Sequence, residues 1–303
     1  MARDKDNNAY DRGNMKTDSQ TLEAHALYLA RFVEEYADEG IVVSAVHPQN
    51  EAGYAQDYPS CGWTAQQMAG YIANQLGPLF AERLPNTEIW CGTLSNPDLD
   101  NQIGQTVMSN GTAAGYVRGI GLQWGMEEHA AQYTSQYHVP IWQTEHKCGN
   151  YPWSGGNASR APNDHAYAEE SWGLIKGWLE KGVNAYLAWN MVLDTIGRSL
   201  DTVRPWAQNA LLTVDRSSRT LNATPAYYVF RHFSAFVDPG ARRVGTTGSA
   251  VQSLAFVNPD GSIVTVMYNS GGSARQTTLG VGTATVQFSI PARGWATVNW
   301  QPT

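Results

Sequence analysis

Charge is scarce in this sequence: 16% of its 303 residues are charged, and Lys+Arg 20 against Asp+Glu 27 gives a formal net charge of −7 with no basic run. A thinly charged, acidic chain has little with which to neutralise a phosphate backbone or anionic headgroups, so nucleic acid and anionic membranes are disfavoured as partners. Long hydrophobic runs are missing too. No stretch of about 18 uncharged apolar residues occurs, so no membrane span is expected. The opening MARDKDNNAYDRGNM is polar throughout and is not read as a secretory leader, which leaves the compartment open. Cysteine is rare: Cys61, Cys91 and Cys148 cannot all pair within one chain and lack metal-ligand spacing.

What is present is apolar and aromatic. Hydrophobic residues make up 42% of the chain and aromatics 11%, with Trp 11 and Tyr 15, enough for a sizeable core and too much for a disordered chain. Flat apolar faces with a polar edge suit sugar rings, but the same side chains fill ordinary cores.

Helical and strand patterns alternate along the first part of the chain. Leu22, Ala26, Leu29, Phe32, Val33 and Tyr36 recur at three- and four-residue spacing over Ser19 to Asp38, with Gly40 as the stop. Ile41 to Val46 follows as a short apolar run of the kind buried on both faces of a parallel sheet. Thr64 to Gln67 reads as a capping box for a helix carrying Met68, Tyr71, Ile72, Leu76 and Phe80, and Glu88 to Cys91 as the next strand. Val117 to Gln123 and Pro140 to Thr144 are further strands, with a helix over Glu127 to Tyr137 between them. A helix from Asp164 to Lys181 leads to a fifth strand, Ala185 to Trp189. Thr224 as N-cap with Pro225 behind it announces a last helix to about Phe236. Strands alternating with helices in this way specify parallel βα units. Beyond Pro239 Glu and Lys disappear and Asp260 is the only acid; the turn Asn258-Pro259-Asp260-Gly261 and alternating residues to either side predict a small antiparallel β module.

Reacting groups in parallel α/β proteins gather at the carboxyl ends of the strands. Read in order, those ends supply Asn50-Glu51, Gln123-Trp124, Glu145-His146 and Trp189-Asn190. Two carboxylates, amides and indoles are the inventory of a retaining glycosidase, in which one carboxylate attacks the sugar and the other acts first as acid and then as base. Trp124 and Trp189 fit packing between barrel layers as well as sugar stacking. His47 and His146 read as orienting groups rather than metal ligands, since no further ligand lies at metal-binding spacing. Gly119-Ile120-Gly121 is not a dinucleotide fingerprint, because it lies mid-strand with no third glycine opening a helix. No metal or organic cofactor is expected.

Gln49-Asn50-Glu51, Thr144-Glu145, Ala188-Trp189-Asn190, the stretch Thr224 to Phe236, Pro239-Gly240 and Arg243-Val244-Gly245 together resemble glycoside hydrolase family 30, the glucosylceramidase and β-1,6-glucanase group. The resemblance runs from about Asn14 to Trp300. It implies a (β/α)8 barrel with an attached β-sandwich, a covalent glycosyl-enzyme, and retention of configuration. By that resemblance Glu51 is the acid/base, carrying a proton at working pH, and Glu145 the nucleophile, kept ionised. Asn50 would hydrogen-bond the sugar 2-hydroxyl, and Trp189 would wall the subsite of the cleaved sugar. Gln123, Trp124, Asn190 and His146 are expected beside them as substrate-binding residues. The family's Asn-Glu-Pro stands here as Asn50-Glu51-Ala52, which loosens the loop that aims the acid. Its frequent His-Trp-Tyr is Gln123-Trp124-Gly125. That form and the segment Arg204 to Asn209 look closer to the microbial glucanase-like members than to the lysosomal lipid-cleaving ones.

In the family, three βα units and a strand of the side domain precede the helix at Ser19, and here almost nothing does. The expected fold is therefore α/β, a partial (β/α)8 TIM barrel of about five βα units over residues 1–236, with a C-terminal antiparallel β-sandwich module over residues 237–303. Such a sheet exposes two strand edges and apolar surface, which predicts self-association, most simply as a two-fold dimer. The expected partner is an oligosaccharide or other β-glycoside. The competing reading is a carbohydrate-binding or inactive shortened glycosidase that needs self-association to complete its barrel. The resemblance suggests secretion without any leader in the sequence to support it.

Overall fold

The computed structural model of the chain describes residues 13–56, 60–150, 160–197, 206–248 and 250–301. Packing divides the chain into two compact units, one of residues 1–147 with 177–188 and the other of residues 148–176 with 189–303.

The first unit is a parallel sheet of five strands in chain order, β1 (Ala45–Val46), β2 (Glu88–Leu94), β3 (Val117–Gln123), β4 (Ile141–Glu145) and β5 (Ala185–Tyr186). They are the five expected from the sequence, connected through helices as βα units require. Helix α1 (Ser19–Asp38) opens on Asp18, whose carboxylate accepts the Thr21 N–H at 2.9 Å, and closes before Gly40 at φ 78°. The capping box at Thr64 forms as read: Thr64 accepts from the Gln67 N–H at 3.2 Å and its own N–H donates to the Gln67 side chain at 2.9 Å. Behind it α2 (Ala65–Tyr71) passes through one π turn, Ile72–Leu76, into α3 (Gly77–Arg83). Two helices that the spacing did not announce, α4 (Leu99–Ser109) and α5 (Gly111–Tyr116), bridge β2 and β3, and α6 (Glu127–Gln136) leads to β4. The last turn of α7 (His165–Glu180) brings the chain back to β5, with Trp178 fully buried in the unit's core.

The run Ile41 to Val46 departs from its expected burial. Only Ala45 and Val46 pair with β2, while Ile41 and Val42 are 53% and 88% exposed. The cause is position. β1 is an edge strand with a neighbour on one side only, so an apolar run suited to two neighbours is half unpartnered.

The glycines of β3 are explained by what crowds them from the neighbouring strands. Gly119 pairs with Trp90 and Gly121 with Trp142, and the two indoles lie with their centroids 4.3 Å apart. A Cβ on Gly119 would fall 2.3 Å from the Trp90 ring, and one on Gly121 would fall 2.6 Å from the Gly92 carbonyl oxygen. Gly119 therefore makes room for the Trp90 indole, and Gly121 for the Gly92 carbonyl and the His47 ring.

The second unit holds a small mixed sheet and the antiparallel module. Strands β6 (Val192–Asp194), β7 (Leu212–Asp215) and β8 (Thr220–Ala223) form a three-stranded sheet that the sequence reading did not identify, and α8 (Pro225–Ser234) follows under the Thr224 cap. Then come β9 (Arg242–Val244), β10 (Gln252–Val257), β11 (Ile263–Asn269), β12 (Arg275–Val281), β13 (Ala284–Ile290) and β14 (Gly294–Trp300). They make a four-stranded sheet in the order β14-β11-β10-β9 and the hairpin β12-β13, the antiparallel module expected from the alternation. Trp172 of α7 is buried between Phe233 and Tyr268 and donates its indole N–H to Gln252 at 2.8 Å, so helices and sandwich share one apolar core. Cys61, Cys91 and Cys148 are buried and form no disulfide among the described residues.

Candidate active site

The carboxyl end of β1 continues past its last paired residue into Asn50 and Glu51. Asn50 bridges Thr93 of β2, and the Glu51 N–H donates to the Thr93 carbonyl at 3.0 Å. Glu51 then adopts φ 50°, a left-handed conformation that a glutamate keeps only where its surroundings hold it. The turn reverses the chain into a loop tied to its own return. The Trp63 N–H donates to the Ala52 carbonyl at 2.8 Å, and Gln49 Oε1 accepts from the Trp63 indole at 3.0 Å and from the Cys61 thiol at 3.0 Å. Glu51 is buried, and Gln56 donates its side-chain N–H to Glu51 Oε2.

Gln123, at the end of β3, is buried and donates its Nε2–H to Asn50 Oδ1 at 2.5 Å. Thr93 Oγ1 donates to the same oxygen at 2.8 Å. The Asn50 carbonyl is thus doubly engaged, which orients its amide. Trp124 opens the turn after β3 and donates a side-chain hydrogen bond to Glu145, the last residue of β4. Glu145 is partly exposed, yet its carboxyl is pushed up from an ordinary 4.5 to about 7. Burial is the larger cause, the charge of Glu51 adds to it, and the Trp124 hydrogen bond opposes both. The upward shift falls on the carboxylate expected to stay ionised. The charge on Glu51 thus makes ionisation of Glu145 harder, as a like charge nearby must.

His146 is 1% exposed, and its Nδ1 lies against the Tyr186 hydroxyl on β5. Burial lowers its pKa to about 3, so the ring is neutral. It directly follows Glu145 in the chain, and its burial leaves almost none of the ring exposed. His47 is neutral by the same cause and gives its Nδ1–H to the Gly92 carbonyl, an acceptor only.

Asn50, Glu51, Gln123, Trp124, Glu145 and His146 all belong to the first unit, whereas Trp189 and Asn190 belong to the second. Trp189 is 47% exposed and joined to Asn190 by a cis peptide; Asn190 donates to Gln208 Oε1 at 2.9 Å. Of the segment Arg204 to Asn209, Arg204 and Pro205 lie outside the described residues. Thr93 and Gln56 were missed in the sequence. Thr93 lies beyond Cys91, where the strand was expected to stop, and Gln56 lies in a loop with no periodicity to mark it.

A carboxyl beyond the end of one parallel strand that acts by its charge on a carboxyl at the end of another, with an oriented amide beside the first and an indole hydrogen bond on the second, supplies paired carboxyl groups suited to acid, base and nucleophilic work. The glycosyl hydrolase family 30 TIM-barrel domain model matches residues 4–237, and the family 30 beta sandwich domain model matches residues 240–298. The chain is 29% identical to endo-1,6-beta-D-glucanase neg1 of Aspergillus fumigatus over 82% of this chain and 50% of that protein. It is 27% identical to putative glucosylceramidase 1 of Caenorhabditis elegans over 85% of this chain and 51% of that one. The chain therefore spans about half the length of these curated relatives. Among solved structures, SrfJ of Salmonella typhimurium superposes with a TM-score of 0.84 at 19% identity, covering 100% of this chain and 66% of that one.

Proposed function

The chain belongs to glycosyl hydrolase family 30, and on that premise we propose that it is a retaining β-glycoside hydrolase of β-glucosidase or β-1,6-glucanase type. The observation that carries this reading is the charge coupling of Glu51 and Glu145 across the ends of β1 and β4. In the first step the Glu145 carboxylate attacks the anomeric carbon while Glu51 gives its proton to the departing oxygen. In the second, water attacks the same carbon and gives a proton to Glu51, and Glu145 leaves as carboxylate. With the Asn50 carbonyl held by Thr93 and Gln123, its Nδ2–H is the end left to donate to a sugar hydroxyl, a bond that strengthens as charge develops on the ring. The Trp124 indole stabilises the attacking charge, and His146, the residue after Glu145, is held against the Tyr186 hydroxyl. The matched glucanase favours a β-1,6-glucan as substrate. A panel of aryl β-glucosides, xylosides, galactosides and fucosides, run with wild type and Glu145→Gln, tests the reading. Equal rates in the two proteins would sink it.

A second reading draws on the edges of the five-stranded sheet. Ile41 and Val42 beside β1, and Tyr28, Phe32 and Tyr36 along one stripe of α1, are exposed. Apolar surface of this kind beside an unpaired strand favours a second copy as its cover, most simply by two-fold symmetry, with turnover depending on that association.

A further inference from the structure

Asp100 lies in the first turn of α4 and is 0% exposed. A carboxylate taken this far from water must have its oxygens filled by donors. Oδ1 accepts the Gly53 N–H at 2.5 Å; Oδ2 accepts the N–H of Ser95 at 2.8 Å and of Asn96 at 3.0 Å, with the Ser95 hydroxyl at 3.2 Å. The donors come from two segments. Gly53 is two residues beyond Glu51, and Ser95 and Asn96 directly follow β2, whose Thr93 holds Asn50 and the Glu51 N–H. The turn at Glu51 is therefore held on both sides by residues of the segment 93–100: before it by the Thr93 carbonyl on the Glu51 N–H, and after it by the Asp100 carboxylate on the Gly53 N–H.

We propose that Asp100 is a positioning residue that aims Glu51, a role that rests on Glu51 being the acid/base. Glycine at 53 is the matching half of the device. A Cβ there would stand 2.7 Å from Asp100 Oδ1 and 2.9 Å from the Asp100 backbone nitrogen, so any larger residue drives the loop off the carboxylate. Residue 52 is alanine, whose backbone is free at φ where a proline would be fixed. The Asp100 carboxylate in α4 thus adds to the loop's own ties, at Gly53, a restraint that no proline ring supplies. Asparagine cannot replace it, because its amide would turn an N–H toward backbone donors.

The test uses Asp100→Asn and Gly53→Ala in the full chain, with kcat/KM measured on aryl β-glycosides graded from dinitrophenyl to phenyl. A dinitrophenolate leaves without a proton and a phenol needs one, so loss of aim must grow along the series. Both variants should stay near wild type on the dinitrophenyl glycoside and fall about tenfold to a hundredfold on the phenyl glycoside. An equal loss on both substrates, or no loss, overturns the proposal. If the wild type turns over no glycoside, the functional reading fails instead, and amide hydrogen exchange decides the grip. Gly53 should exchange faster in Asp100→Asn while β3 and β4 keep their protection, and unchanged Gly53 protection overturns it. Should Asp100→Asn fail to fold, Gly53→Ala carries both measurements.

Discussion

Trp124 donates its side-chain hydrogen bond to Glu145 from the end of the neighbouring strand, so the indole after β3 opposes the burial that raises the carboxyl at the end of β4. Removing the donor while keeping the ring isolates this effect. In Trp124→Phe the Glu145 carboxyl should titrate still higher, so the acidic limb of the pH profile of kcat/KM moves to higher pH. The rate should fall about tenfold or more, the worth of one hydrogen bond to a charged group. An unmoved acidic limb would show that the indole only packs there.

Glu145→Gln should abolish turnover and stabilise the fold. Its folded pKa, about 7, lies above the ordinary 4.5, so the native state binds more protons between those values. The stability this contributes is present below about pH 4.5 and is lost as pH rises through 7. Glutamine has no such loss. The difference in unfolding free energy between variant and wild type should therefore grow from pH 5 to pH 8, toward about 3 kcal/mol at most. Parallel denaturant titrations across that range check it, and a pH-independent difference would contradict it.

Asn50→Ala removes an amide held in one orientation by Thr93 and Gln123. If its N–H serves the transition state, kcat should fall about a hundredfold with KM little changed. A rise in KM alone would assign it to ground-state binding.

Gly119→Val places side-chain atoms where the Trp90 indole lies. Overpacking of this kind costs roughly 1–3 kcal/mol and here also spreads the Trp90–Trp142 pair. Urea unfolding should show a lower midpoint, and near-ultraviolet circular dichroism a changed tryptophan band. An unchanged midpoint would mean that the sheet opens freely at β3.

Self-association is read most directly by light scattering at micromolar concentration. A mass of two chains is expected, falling to one chain when Phe32 and Val42 are both replaced by lysine. A monodisperse wild-type monomer would remove the dimer.

Much of the scaffold was legible because it depends on local chemistry. The Thr64 capping box, Thr224 before Pro225 and the turn ending at Gly261, with φ 85°, are decided by side chains within four residues of one another. Both carboxylates could be found because a strand end is recognisable from where its apolar run stops. The burial of Ile41 and Val42 was misjudged for the opposite reason. A β-branched run records the neighbours a strand is suited to, while exposure depends on which strands are present beside it.

By itself the sequence determined five βα units, the antiparallel module after them, and which carboxylates stand at strand ends, since periodicity and capping act along the chain. Only the tertiary structure decided how those carboxylates behave. The upward shift of the Glu145 carboxyl depends on burial and on the charge of Glu51, nearly a hundred residues away in sequence. That Asp100 reaches back to Gly53 depends on a helix start meeting a loop 47 residues earlier. Electrostatic and hydrogen-bond energies follow distance in space, and the spacing of residues in a chain does not record it.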